Sequence, residues 1–322
     1  VEIAIICYPG AQQTCIHGLT DLFSYADYFA RVHHATEQPQ LRVTHWGESN
    51  DGNELECRFD SLPGDSGAPA VVIMPACQIA PPGPGHAPQC VDWARRRHDE
   101  GAVAAAVCGG VFLLAESGLL EGRSVTTHWM FADELGRRFP RMQVDPVQLV
   151  VDDNDIVTAG GVLAWADMGL SLVERLLGPT VMFTTARFMN MDPRGREQRF
   201  YSPFSPRLQH GDKTVLAIQH WLQAHVSSDC SVAELAERAG LGARTFLRRF
   251  VKATGMKPSE YHLRLRIARS RERLEFTRDT VEQIAVACGY EDPSGFRRIF
   301  KRVVGLSPGE YRRRFQRDVP ER

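Results

Sequence analysis

The chain has 322 residues, 43% of them hydrophobic and 24% charged, with a formal net charge of −1. That length favours two domains with ample apolar content for cores, and the chain has no run of about 18 apolar residues of the kind a membrane-spanning helix needs. The near-zero total conceals a split, because residues 211–322 hold 22 Lys+Arg against 14 Asp+Glu while residues 1–210 hold 16 against 25. A basic module fit for a polyanion is therefore joined to an acidic module that is not.

Read in chain order, Val1–Cys7 is predicted as a first strand leading straight into the Tyr8-Pro9-Gly10 turn, with none of the marks of a signal peptide. A helix is expected over His17–His33, strands over Leu41–Trp46 and Val71–Met74, and a helix over Cys90–Asp99. Ala80–Gly85, with three prolines in six residues, is a loop. Ala102–Val107 reads as a small-residue strand and Gly110–Ser117 as a short helix. Strands follow near Leu149–Val151 and Ile156–Thr158, then a helix from about Gly161 to Leu177. This alternation predicts an α/β layered domain with a largely parallel sheet. Eight cysteines are scattered without Cys-x-x-Cys spacing, so neither a metal nor a cofactor is expected and a reduced cytoplasm is the predicted setting.

One turn in this domain has chemistry in it. Ala106-Val107-Cys108-Gly109-Gly110 leaves a strand and opens a helix, which lifts the Cys108 side chain above the sheet and uncovers the amides of Gly109 and Gly110. A helix N-terminus of this kind favours an anion and lowers a thiol's pKa.

Residues 191–210 carry proline, glycine and charge without apolar periodicity, and they read as a linker. A helix over Thr214–Val226 follows. Then one pattern is written twice. The first copy runs Ser231-Val232-Ala233-Glu234-Leu235-Ala236, Gly240, Phe246, Arg248, Phe250, Gly255, Pro258, Glu260, Tyr261. The second runs Thr280-Val281-Glu282-Gln283-Ile284-Ala285, Gly289, Phe296, Arg298, Phe300, Gly305, Pro308, Glu310, Tyr311. Ser231 and Thr280 are N-cap residues. Phe246 and Phe250, like Phe296 and Phe300, stand at i and i+4 on one buried face, which leaves a basic outer face. Helix, tight glycine turn and basic second helix make a helix-turn-helix, with units at about 231–253 and 280–303, that enters a major groove.

These residues resemble the AraC/XylS family of transcription regulators over about the last 100 residues. The resemblance implies two helix-turn-helix units joined by a long helix, here Pro258 to about Phe276. It implies base or backbone contacts from Arg244, Leu247, Arg248 and Lys252 in the first unit and from Pro293, Ser294, Arg298 and Lys301 in the second. Arg248 and Arg298 are the strongest candidates, since a guanidinium matches the paired acceptors of guanine. The Cys108 turn, Gly118–Arg123, Thr126-Thr127-His128-Trp129 and Thr158-Ala159-Gly160-Gly161 resemble the DJ-1/PfpI superfamily, relatives of class I glutamine amidotransferases, in its GlxA-type regulator branch.

That second resemblance implies a flavodoxin-like sandwich over 1–190 that senses a small metabolite and forms a homodimer, a linker over 191–210, and an AraC-type DNA-binding domain over 211–322. Family members sense amino acids and quaternary amines and activate through RNA polymerase. The implied pocket comprises Cys15, Cys108, Gly109, Gly110, His128, Trp129, Gly160 and Gly161. Superfamily enzymes place an acid where this chain has Cys15, so Cys108 is expected to be a vestigial elbow without catalysis. The alternatives are a cysteine-dependent amidase or hydratase, and a Cys15–Cys108 redox sensor, either one fused to the DNA-binding module. His128 is open between ligand donor and core histidine. Trp129 and Trp165 are open between packing and holding a cationic ligand.

Overall fold

The structure is a computed structural model and describes residues 1–49, 54–64, 68–192 and 197–316. Part of the predicted linker, residues 193–196, lies outside the described residues. The chain separates into two compact units, Val1–Gln198 and Arg199–Arg322.

The first unit runs β1 (Glu2–Ile6), α1 (Gln13–His34), β2 (Arg42–Glu48), β3 (Leu55–Asp60), β4 (Val71–Met74), α2 (Pro88–Asp99), β5 (Val103–Val107), α3 (Gly110–Glu116), β6 (Ser124–Val125), α4 (Ala132–Arg138), β7 (Gln143–Val144), β8 (Val150–Asp153), β9 (Ile156–Ala159), α5 (Trp165–Leu177) and α6 (Pro179–Phe188). Its sheet has the order β3-β2-β1-β4-β5-β9-β8. The five inner strands pair in parallel, and β3 and β8 close the two edges antiparallel. The inner strands β1, β4 and β9 are buried along their whole length, as a sheet covered on both faces requires, and that is why they read as unbroken apolar runs.

Sequence reading missed β3. Its residues Leu-Glu-Cys-Arg-Phe-Asp bury only Leu55, so an edge strand exposed on one side left no apolar run to find. Helix α6 was missed too, because Thr180, Val181, Thr184 and Thr185 are β-branched and weaken the helical signal. Helix α1 starts at Gln13, four residues ahead of the predicted start.

The second unit is helical: α7 (Lys213–Ala224), α8 (Val232–Arg238), α9 (Ala243–Thr254), α10 (Pro258–Phe276), α11 (Val281–Ala287), α12 (Pro293–Val304) and α13 (Pro308–Phe315). The repeat is visible atom for atom at the helix starts. Ser231 with Glu234, and Thr280 with Gln283, each form a reciprocal capping box, satisfying amides that would otherwise be orphaned. Each copy also builds its own small core. Phe246, Phe250 and Tyr261 gather in one, and Phe296, Phe300 and Tyr311 in the other. Helix α10 serves both, giving Tyr261 and Leu265 to the first and Ile267 and Leu274 to the second.

Asp212 ties α7 to α9. It caps α7 by accepting from the Val215 N–H at 3.1 Å, and its carboxylate accepts from Arg249 Nε at 2.8 Å and Nη2 at 2.7 Å. The Arg249 guanidinium holds the carboxyl at about 2, below the usual 3.8. A folded-state pKa below the unfolded one stabilises above the unfolded value and is lost as pH falls from about 4 to about 2. Asp212→Asn keeps a cap and loses the ion pair. It is expected to lower stability at neutral pH by up to about 1 kcal/mol for so partly exposed a pair and to flatten this part of the acid titration. Thermal melts between neutral and acid pH check both.

Candidate DNA interface and effector pocket

In the first helix-turn-helix, Gly240 turns the chain at φ +64° between α8 and α9; in the second, Gly289 does so at φ +83° between α11 and α12. Gly289 is further constrained, since a Cβ there would lie 2.3 Å from the Ser227 carbonyl oxygen. These turns leave one face of α9 and α12 to the core and the opposite face to solvent. Arg244, Arg248 and Lys252 are exposed on α9, with Leu247 half-buried between them. Ser294, Arg298 and Lys301 are exposed on α12, with Pro293 half-buried at its first turn. The eight sequence-nominated residues therefore fall on the two corresponding helices.

The charged side chains divide into two groups. Arg298 keeps 81% of its side chain in solvent and stands 4.0 Å from Asp292. Arg244 and Arg248 are in no ion pair shown among the described residues. The α10 arginines, by contrast, are committed. Arg264 pairs with Glu260, Arg269 with Glu272, Arg273 with Asp279, and Arg266 with Asp229. Arg271 is buried and donates to the carbonyls of Ser202 and Arg199 at 2.5 and 2.6 Å. Each of these five α10 arginines thus has an internal partner, and Arg271 is a structural tie.

In the first unit the elbow has the expected shape. Cys108 is forced to φ +54°, a conformation unusual for a side-chain-bearing residue and associated with functional turns. The residue is 1% exposed. The expected lowering of the thiol's pKa is not found: burial pushes Cys108 up to about 12, with the nearby Cys77 adding and the amides of Gly109 and Gly161 opposing. Cys15 is likewise driven to about 12 by burial, opposed by the Ala76 amide and raised further by Cys108. Gly109 and Gly110 are buried rather than opened to a groove. A Cβ on Gly109 would lie 2.1 Å from Cys77 Sγ, and one on Gly110 would lie 2.2 Å from the Pro75 carbonyl oxygen.

The segment Thr126–Trp129 lies against this elbow, with Thr127 Oγ1 donating to the Cys108 carbonyl at 2.7 Å. His128 Nδ1 accepts from the Met130 N–H at 3.2 Å, and burial lowers its pKa. Its ring leans on Trp129 and Phe131. Trp165, in turn, packs over Gly18, where a Cβ would lie 2.4 Å from the indole. Gly160 approaches the same place, its missing Cβ leaving room 2.0 Å from Gln198 Nε2 and 2.6 Å from the Thr127 carbonyl.

Gln198 was read as linker. It is 2% exposed and its carboxamide is held on every side. Nε2 donates toward Thr126 Oγ1 at 3.0 Å and toward the carbonyls of Thr127 and Gln148 at 2.9 Å each, and Oε1 accepts from the Trp129 N–H at 2.9 Å. Its flanking sequence, charged before it and Arg199-Phe200-Tyr201 after it, has no apolar periodicity to signal this burial.

Paired helix-turn-helix units behind an α/β domain with a cysteine elbow define a DNA-binding transcription regulator. Comparison with known proteins gives the same class. Residues 5–175 match the DJ-1/PfpI family and residues 235–314 a helix-turn-helix domain. The chain belongs to the DJ-1/PfpI family and carries an AraC-type helix-turn-helix domain. Among its relatives in Pseudomonas aeruginosa, the HTH-type transcriptional regulator CdhR is 29% identical over 226 residues, 70% of this chain and 67% of its own. The regulator ArgR is 27% identical over 213 residues, covering 66% and 64%. GbdR is 27% identical over 214 residues, covering 66% and 58%. The aligned stretch thus spans about two thirds or less of the length of these relatives.

Proposed function

We propose that the first unit is a catalytically silent sensor whose small-molecule effector controls how the second unit engages an operator. The supporting observation is the elbow: it keeps the strained turn of a nucleophile site but holds a thiol raised by burial, with a second thiol where superfamily enzymes have an acid. A thiolate is needed for nucleophilic attack, and this environment opposes it. The same rise disfavours peroxide sensing by Cys15 and Cys108.

In this reading Cys15, Cys108, Gly109, Gly110, His128, Trp129, Gly160 and Gly161 surround the effector pocket, and the effector is an amino acid or a quaternary amine. Arg244, Leu247, Arg248, Lys252, Pro293, Ser294, Arg298 and Lys301 form the DNA surface. The working state is a homodimer that activates through RNA polymerase. Tyr25, Tyr28 and Val32 on α1 and Phe183 and Phe188 on α6 form an exposed apolar patch, with Phe188 5.0 Å from Tyr25, and a patch of this composition suits self-association. No described helix is long and apolar enough to cross a membrane.

The test measures operator affinity of the full chain with and without a metabolite extract. The operator is selected from random duplex, and sedimentation gives the mass of the species. An affinity that changes with extract is expected, because an effector acts only through unequal affinity for two states. An unchanged affinity would leave a constitutive DNA binder. Turnover abolished by Cys108→Ser would make the first unit an enzyme.

A further inference from the structure

We propose that the niche now filled by the Gln198 carboxamide is the effector's recognition socket, and that it selects a primary ammonium group next to a carboxylate or carbonyl oxygen. The proposal rests on the effector-controlled reading above and narrows it from amines in general to those that carry N–H donors.

Three acceptors converge on Gln198 Nε2: Thr126 Oγ1, the Thr127 carbonyl and the Gln148 carbonyl. A carboxamide nitrogen has two hydrogens to offer, so it leaves one acceptor underused, whereas an ammonium has three. Thr126 Oγ1 is set to accept, because its own hydrogen goes to the Gln148 carbonyl at 3.0 Å. On the other side the Trp129 N–H donates to Gln198 Oε1, as it would to one oxygen of a carboxylate. The site thus offers acceptors on one flank and a donor on the other, spaced for a nitrogen and an oxygen carried on one carbon, and an α-amino acid folded to bring its ammonium beside one carboxylate oxygen presents the pair only slightly further apart. A trimethylated nitrogen has no hydrogen to give, and its entry would leave Thr126 Oγ1 and the Thr127 carbonyl, both buried, without the donor that Gln198 supplies, the kind of mismatch that yields strong rejection.

Room and access fit as well. Gly160 keeps the wall free where any side chain would fill the niche. The bound group is the chain's own Gln198, held also through its backbone N–H to the Val147 carbonyl at 3.0 Å. An effector that takes the socket must displace Gln198, and Gln198 stands directly before Arg199, where the second unit begins. Gln198 therefore acts as a tethered competitor, and its release is the event that unties the chain immediately before Arg199.

The experiment uses the full chain, with glycine and N,N,N-trimethylglycine as matched probes differing only in N–H donors. Melting curves are recorded for wild type and Gln198→Ala at tens of millimolar probe. Glycine is expected to raise the midpoint of Gln198→Ala by a few degrees more than that of wild type, since the variant's socket has no competitor, and trimethylglycine is expected to act equally on both. Equal shifts from the two probes overturn the proposal. Should Gln198→Ala not fold, limited trypsin cleavage of wild type after Arg199 supplies the same decision. Glycine is expected to speed it about twofold or more by releasing the adjacent Gln198, and identical rates with the two probes overturn the socket. If the probes fail while metabolite extract still changes operator affinity, the sensor reading stands and this socket does not.

Discussion

Arg298→Ala is expected to erase the preference for one or two base pairs of the operator and to weaken binding to the intact site by about 1–3 kcal/mol, roughly five- to 150-fold. Arg248→Ala is expected to do the same at the corresponding position of the other half. The reason lies in what these side chains do without DNA. Arg298 is held only loosely by Asp292, at 4.0 Å with both groups mostly in solvent, so little must be given up to reach a guanine edge. Arg269 is the control. It sits on the joining helix and is paired with Glu272 at 2.8 Å, and Arg269→Ala should leave the recognition logo intact and the affinity within about threefold, as expected for an exposed pair. Selection of binding sites from random duplex with each variant checks the set. An Arg298→Ala logo indistinguishable from wild type would remove the reader assignment.

The difference between what could and could not be read from residues alone follows the physics of each signal. The duplicated module was legible because everything that builds it is local: a capping serine or threonine, a glycine at positive φ, two phenylalanines one turn apart. The inner strands were legible because a sheet covered on both faces needs continuous apolar runs. Edge strand β3 was not, since only one of its residues is buried. The elbow was legible in shape and misread in electrostatics. Two glycine amides do oppose the rise at Cys108, but burial outweighs them and Cys77 adds to it, and neither Cys77 nor the close approach of the β4 exit to Gly110 is revealed by the local sequence. Gln198 was invisible for a related reason. Its partners at Thr126, Thr127, Trp129 and Gln148 are 50 to 72 residues away, and no periodicity carries a contact of that range.

Phe300→Ala is expected to destabilise the second helix-turn-helix by about 3–5 kcal/mol, the usual result of removing a fully buried phenyl ring. The ring is 0% exposed and stands 5.7 Å from Phe296 and 5.6 Å from Tyr311 in edge-on or tilted contacts. A core this small has few neighbours able to close the cavity. Phe250→Ala makes the equivalent lesion in the first core, where the ring meets Phe246 at 5.5 Å and Tyr261 at 5.4 Å. The two cores share α10 yet use different turns of it, Tyr261 and Leu265 against Ile267 and Leu274. Each lesion should therefore unfold its own module first and leave the other capped. On DNA this separates the variants: footprinting is expected to lose one half of the protected region with Phe300→Ala and the other half with Phe250→Ala. Loss of both halves with either variant would mean that α10 couples the modules into one cooperative unit, so that the duplicated cores are not energetically independent.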